Sequence, residues 1–304
     1  MAPLIPDYTR PAMPDSRVYI NGQFHDPDAA TLSVEDRGTL FADGVYEVTH
    51  YFFGQAFAMD EHLARLRRSL AGIRLAEPPH VAELPRVSDQ LVAELGVASA
   101  SVYWQVTRGP ARRDHRLPAQ TRPTVLVMAY KSPKAQQALN PDGPVRTARV
   151  VLAEDLRWRQ CWIKSLMLLP NALARDAAIA AGANDALMHD NGLVTEASAS
   201  NAFVVRRGEL YTHPADGRIL PGITRGVLID LARAEGIGVH EQAVTLDELR
   251  TAEEAFICST TTNVTAVTHV DGQPIGDGQP GPVTHRLHRA ITNHILQMCK
   301  APVG

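Results

Sequence analysis

The chain has 304 residues, is 45% apolar and carries a formal net charge of −3. That balance gives no field able to hold nucleic acid or an anionic membrane, and no segment approaches the roughly 20 apolar residues of a membrane-spanning helix. The expected partner is a small molecule, and two modest cores suit this length better than one large one.

The proline-rich opening "MAPLIPDYTRPAMP" has no cationic region followed by an apolar core, so residues 1–17 read as an extended arm and not a targeting signal. "VYINGQFH" turns at Asn21-Gly22 and "VYEVTHYFFGQAFAM" turns around Gly54, two hairpins that predict an antiparallel sheet. Asp60 is placed to cap a helix in which Leu63, Leu66, Leu70 and Ile73 recur at helical spacing, with Pro78 and Pro79 ending the segment. A second helix, about Val81 to Leu95, leads to strands "SVYWQVT" and "TVLVMAY". The stretch "KSPKAQQALNPDGP" then loses periodicity and collects proline, glycine and polar residues. Residues 18–130 therefore read as a smaller α/β domain, 131–144 as a linker and 145–304 as a larger, strand-rich domain.

That larger domain opens with the strand "VRTARVVLAED", passes through "CWIKSLMLLP" and enters a helix at "NALARDAAIAAGA". Short strands follow at "DALMHD", "NAFVVRR" and "ELYTH", with turns at Asn191-Gly192 and Arg207-Gly208. Helices from Ile223 to Glu235 and from Pro282 to about Cys299 are expected to cover the sheet. Cys161, Cys258 and Cys299 are odd in number, far apart and in no CxxC spacing, which predicts a reducing compartment, the cytoplasm by default. His285 and His288 in "THRLHRA" lack a nearby acidic or cysteine ligand set, so no metal site is expected.

Five stretches carry candidate chemistry. Lys164 interrupts an apolar run: such a lysine either lays its stem along apolar surface or is buried with a partly neutral amine able to attack a carbonyl. Glu196, in "LVTEASASN", is either a solvated strand-end acid or a carboxylate that keeps a pyridine nitrogen protonated. "PGITRG" sets Ile223 and Thr224 at a helix start, and "FICSTTTN" ends a strand with Ser259 and Thr260. Helix N–H groups and hydroxyls of these kinds bind phosphate when they converge, and are otherwise ordinary caps and turns. In "VTRGPARRDHRLP", Arg113 and His115 stand on a loop kept irregular by Gly109, Pro110 and Pro118. The loop is either simply basic and solvated or, with a guanidinium fork and an imidazole two residues on, suited to hold a carboxylate.

"IKSLMLLPNALA", "VTEASASN", "GITRG" and "STTTN", in this order and spacing, resemble the successive motifs of the class IV (fold type IV) pyridoxal-phosphate aminotransferases, and the likeness runs from about Val18 to the final helix. It implies an α+β, two-domain fold: a small α/β sandwich lobe and a larger barrel-like lobe with covering helices. "EDRGTLFADGVYEV", "EHLARL" and "VTRGPARRDH" further resemble the D-amino-acid aminotransferases of that family. Lys164 is then implied to carry pyridoxal 5'-phosphate as a Schiff base and Glu196 to meet the ring nitrogen. Arg65, Ile223, Thr224, Ser259 and Thr260 are implied to hold the phosphate, and Tyr46, Arg113 and His115 the substrate carboxylate. Arg157, in "DLRWRQCWIK", is expected to support the pocket. The implied reaction is ping-pong transamination between a D-amino acid and a 2-oxo acid; separately, the extra charge of Arg112 and Arg116 is expected to favour dicarboxylic partners. A homodimer is also implied, in which Arg113 and His115 face the neighbouring chain's site. Ala197 and Ala199 depart from the Thr-Glu-Gly-Ser-Ser-Ser-Asn common in relatives, at positions that bear on cofactor affinity. The (R)-amine transaminases, branched-chain aminotransferases and aminodeoxychorismate lyases share the lysine and phosphate motifs and are the alternatives, with a non-catalytic vitamin-B6-binding protein further off.

Overall fold

A computed structural model describes residues 16–132 and 139–299. Residues 1–15 of the opening arm and 133–138 of the expected linker lie outside the described residues. Both predicted N-terminal hairpins form. Val18–Ile20 (β1) pairs with Gln23–His25 (β2), and Gly44–Phe52 (β3) with Gln55–Phe57 (β4). Ala100–Thr107 (β5) and Thr124–Lys131 (β6) complete a six-stranded sheet in the order β2-β1-β6-β5-β3-β4, antiparallel throughout. Along β5 the side chains alternate, so that Ala100, Val102, Trp104 and Val106 are buried while Ser101, Tyr103 and Gln105 face the other, partly open side.

Between α1 (Arg37–Phe41) and β5, two longer helices cover that buried face: α2 (Met59–Gly72) and α3 (Leu84–Leu95). Leu66, Leu70, Leu84 and Leu91 pack with Trp104 in one core cluster. Even the polar edge of that tryptophan is satisfied, its Nε1 donating to Ser88 Oγ at 2.8 Å. Two expected boundaries move. Ala58, in the left-handed conformation, caps α2, so Asp60 lies within its first turn where its charge still favours the helix dipole. The second helix starts three residues later than expected, because Pro79–Val81 forms a separate 3-10 turn.

The remaining strands are Arg146–Glu154 (β7), Asp185–Asp190 (β8), Leu193–Ala197 (β9), Asn201–Arg206 (β10), Glu209–Thr212 (β11), Val239–Glu241 (β12), Glu254–Ser259 (β13), Asn263–Val270 (β14) and Gln273–Pro274 (β15). They form a nine-stranded sheet in which β9 pairs back onto β10 at Glu196 and Asn201, closing a ring of β10, β13, β14, β7, β8 and β9. The sheet is thus barrel-like, and Glu196 sits on its seam. Helices α4 (Leu169–Ala180), α5 (Ile223–Ala234), α6 (Leu246–Arg250) and α7 (Pro282–Met298) accompany it. Leu228, Ile229, Leu287 and Ile291 from α5 and α7 pack over the stacked rings of Phe203 and Phe256. Among the described residues no helix is long and apolar enough to cross a membrane.

Candidate active site

Lys164 lies where the two sheets meet. Strand β4 covers only His50–Phe52 on its side of β3, which leaves the edge at Gly44–Tyr46 free. The segment around Lys164 takes that edge: Tyr46 N–H donates to the Lys164 carbonyl at 2.9 Å, Val45 bridges Ser165, and Leu166 N–H donates to the Gly44 carbonyl at 3.1 Å. From the other side Ser69 Oγ of α2 accepts the Lys164 N–H at 3.1 Å. Glycine is required for this approach, since a Cβ on Gly44 would stand 2.8 Å from both Leu166 Cδ1 and Val106 O. The residue is half-buried, between the two readings its apolar flank allowed, because it opens into a cavity; its Nζ lies 4.3 Å from the Tyr46 ring centroid.

The cavity measures about 850 Å³ and brings together eight of the expected residues: Tyr46, Arg65, Lys164, Glu196, Ile223, Thr224, Ser259 and Thr260. Its walls come from β3 and α2 on one side and from the rim of the strand ring on the other, where β13 ends and β10 begins.

Glu196 is 4% exposed and accepts hydrogen bonds from three residues. Asn201 Nδ2 reaches Oε2 at 2.7 Å, Leu220 N–H reaches Oε1 at 3.1 Å, and Arg157 Nη1 reaches Oε1 closely. Arg157 is itself gripped by Asp155, with Nε to Oδ1 at 2.8 Å and Nη2 to Oδ2 at 2.6 Å. Burial pushes the Glu196 carboxyl up, against the opposing pull of Arg157.

At the opposite end stand groups suited to an oxyanion. Gly222 caps α5 without a side-chain hydrogen bond, so the first N–H groups of that helix are available, and the Thr224 side chain beside them is buried. The hydroxyls of Ser259, Thr260, Thr261 and Thr262 gather at the end of β13. Arg65, 3% exposed, lies between its Glu47 partner and the cavity: Nε meets Oε1 at 2.7 Å and Nη2 meets Oε2 at 2.8 Å, while Nη1 donates to Pro221 O at 3.2 Å. His62 Nδ1 also meets Glu47, at 2.8 Å, and its buried Nε2 has no partner. Burial alone would raise the Glu47 carboxyl, but Arg65 and His62 outweigh it and bring it down to about 2. The two-point contact with Glu47 sets the direction in which the Arg65 guanidinium faces. The donor set fits a phosphate group, and the carboxylate at the far end fits a pyridine N–H.

Arg113 and His115 are not among the residues lining this cavity. Both are exposed on the loop after β5, which is pinned from beneath. Arg37 N–H donates to Gly109 O at 3.0 Å, Arg37 Nη1 to Asp114 O at 2.7 Å, and the Phe41 ring lies 5.6 Å from both the His115 ring centroid and the Arg113 guanidinium carbon. Gly109 has φ of +81°, and a Cβ there would meet Arg122 O at 1.8 Å, so this turn admits only glycine. Of the two extra arginines, Arg116 is occupied by Asp114 at 2.8 Å and Arg112 is exposed.

Sequence reading did not single out Asp155, Glu47 or His62. Asp155 stands two residues before Arg157, an Asp-x-Arg spacing that could have marked an ion pair, but Glu47 and His62 meet only through the β3–α2 contact. The chain matches the model of the class IV amino-transferases over residues 44–270. It is 42% identical to a D-alanine aminotransferase of Listeria monocytogenes serotype 4b over 93% of this chain and 97% of that one. A D-alanine aminotransferase of Bacillus licheniformis is 39% identical, over 92% and 97%. Among solved structures, a branched-chain amino acid aminotransferase of Escherichia coli superposes with a TM-score of 0.82 at 25% identity, over 91% of this chain and 93% of that one.

Proposed function

The chain belongs to the class IV aminotransferase family, and from that premise we propose that it transfers the amino group of a D-amino acid, such as D-alanine or D-glutamate, to a 2-oxo acid with pyridoxal 5'-phosphate as cofactor. The observation that carries this reading is the cavity in which Lys164 stands between a buried carboxylate and an oxyanion cradle. When bound, pyridoxal phosphate supplies a carbonyl that an amine can join and a cationic ring that spreads the charge left when the substrate α-proton departs.

In this reading the chain's own residues divide the work. Arg65, the N-terminus of α5, Ser259 and Thr260 hold the phosphate, and Glu196 holds the ring N–H. Lys164 Nζ would hold the cofactor and, as a free amine, would accept the substrate α-proton and deliver it to the cofactor carbon, a positioned transfer worth about 10²–10⁴-fold. Tyr46, beside that amine, faces the substrate carboxylate.

Arg113 and His115 serve the neighbouring copy in a homodimer, on this reading, since the pinned loop presents them outward and away from their own cavity. A second copy would also cover Met167, Leu168, Leu169 and Leu173, which are exposed around the start of α4. The D-hand follows the names of the Listeria and Bacillus relatives and the Arg113-x-His115 pair. Incubation of the cofactor-loaded protein with D-alanine and 2-oxoglutarate, followed by chiral separation, should yield pyruvate and D-glutamate in equal amounts. L-Glutamate as the product would remove the stereochemical assignment.

A further inference from the structure

The carboxylate that faces the ring nitrogen is not alone in its charge, and the balance of the buried cluster is informative. Glu196 already receives a full cation, Arg157, on Oε1. A glutamate–arginine pair is neutral in sum, and a neutral buried pair gives little reason for a pyridine beside it to hold a proton. Asp155 changes the sum. Its side chain is 7% exposed, it accepts both Nε and Nη2 of Arg157, and Thr195 Oγ1 donates to its Oδ2 at 2.8 Å. Both Glu196 oxygens accept from N–H donors, the arrangement of an ionised carboxylate, so Asp155, Arg157 and Glu196 together carry one net negative charge out of water, and such a charge favours a cation beside Glu196, which faces the cavity.

We propose that Asp155 is a positioning residue for the transamination: acting through Arg157, it keeps the cluster net negative so that Glu196 holds the cofactor ring nitrogen in its protonated form. This rests on the functional reading above and adds to it a residue two positions away from contact with the ring.

The other charged groups around the cluster do not supply the same charge. Asp190, Arg159, Arg218 and Asp216 form a more exposed group on the outer side. Arg159 and Arg218 both face Asp190, and Arg218 also meets Asp216, so this group is neutral in sum and screened by solvent. Arg218 meets Arg157 only through its backbone carbonyl, which accepts Nη2 at 3.1 Å. Cys161 is a thiol, since burial pushes it up to about 11. Thr195, Asn201 and the Leu220 N–H are neutral. Asp155 is therefore the acid that balances Arg157.

The test uses holoenzyme reconstituted with pyridoxal phosphate labelled with ¹⁵N in the ring, whose nitrogen resonance reports protonation directly and independently of turnover. Wild type should show a protonated ring at neutral pH. Asp155→Asn keeps the shape and one hydrogen-bond acceptor but drops the charge; its ring-nitrogen pKa should fall by about one unit or more. kcat should fall with it while KM for the amino donor changes little, and Asp155→Glu should recover most of both. A ring as protonated in Asp155→Asn as in wild type overturns the proposal and leaves the functional reading intact. An unprotonated ring in wild type overturns the assigned role of Glu196 and this inference with it. Should Asp155→Asn not fold, Thr195→Val carries the test, because it removes only the hydroxyl that orients Asp155: a smaller shift in the same direction supports the proposal, and no shift overturns it.

Discussion

His50 shows how one buried side chain can tie stability to pH without touching the cavity. It is 1% exposed on β3, with Nε2 3.2 Å from Ser99 Oγ and Nδ1 3.0 Å from Ser101 Oγ. Ser99 gives its own proton to Ser132 O, so Nε2–H donates to Ser99 and the ring is satisfied in its neutral form. Burial lowers its pKa from 6.5 to about 4. A depressed folded-state value means that the stabilisation is present above the unfolded value and is lost as pH falls through the window from 6.5 to about 4. Denaturant unfolding across that window should show wild type losing on the order of 3 kcal/mol relative to His50→Gln. Parallel curves for the two proteins would remove the assignment. At this scale, the legible residues were those whose type clashed with its surroundings. Lys164 interrupts an apolar run, and Glu196 precedes a string of small residues. Asp155, Glu47 and His62 gave no such sign, because a charge destined for a buried ion pair is written in sequence like a solvated one. The same ambiguity made the degree of burial of Lys164 unreadable, since an apolar flank does not reveal whether it lines a core or a cavity.

Among the elements, the short bridge from residues 164–166 to the open edge of β3 does most to place the lysine. It depends on Gly44, and Gly44→Ala should lower stability by about 1–3 kcal/mol, the usual range for overpacking. It should also weaken cofactor retention, because relief of the clash moves Leu166 and the backbone beside Lys164. Calorimetry together with equilibrium dialysis checks both, and unchanged retention would show that the bridge does not position the amine. The hairpins were readable for a local reason: Asn21-Gly22, Asn191-Gly192 and Arg207-Gly208 all take positive φ at both turn residues, which few other pairs accept. Helix starts were less readable, since Ala58 caps α2 by conformation and not by side chain. The five-residue helices α1 and α6 are too short for a period to emerge. Strand β14 also passed unread, although it lies at the centre of the larger sheet. It pairs with β13 just before it through a turn written in hydroxyl residues instead of Asn-Gly, and its other neighbour, β7, comes from more than 100 residues earlier.

At the scale of the whole molecule, all strands of the first sheet fall within 18–131 and all strands of the second within 146–274, while the cavity draws on both. Arg113 and His115 do not line their own cavity, and on the proposed reading a second copy brings them to its lysine. Mixing inactive Lys164→Ala chains with inactive Arg113→Ala chains should therefore restore part of the activity, with one intact site in each heterodimer. Verified heterodimers without activity would require each site to be built from a single chain.

The measurement that bears most directly on the central claim is the visible absorbance of the cofactor-loaded protein, recorded as D-alanine, L-alanine and (R)-1-phenylethylamine are added separately with no 2-oxo acid present. The account predicts that D-alanine alone removes the cofactor's visible band and releases one pyruvate per site. Loss of the band with L-alanine or mainly with the amine, or a band that none of the three disturbs, would contradict it.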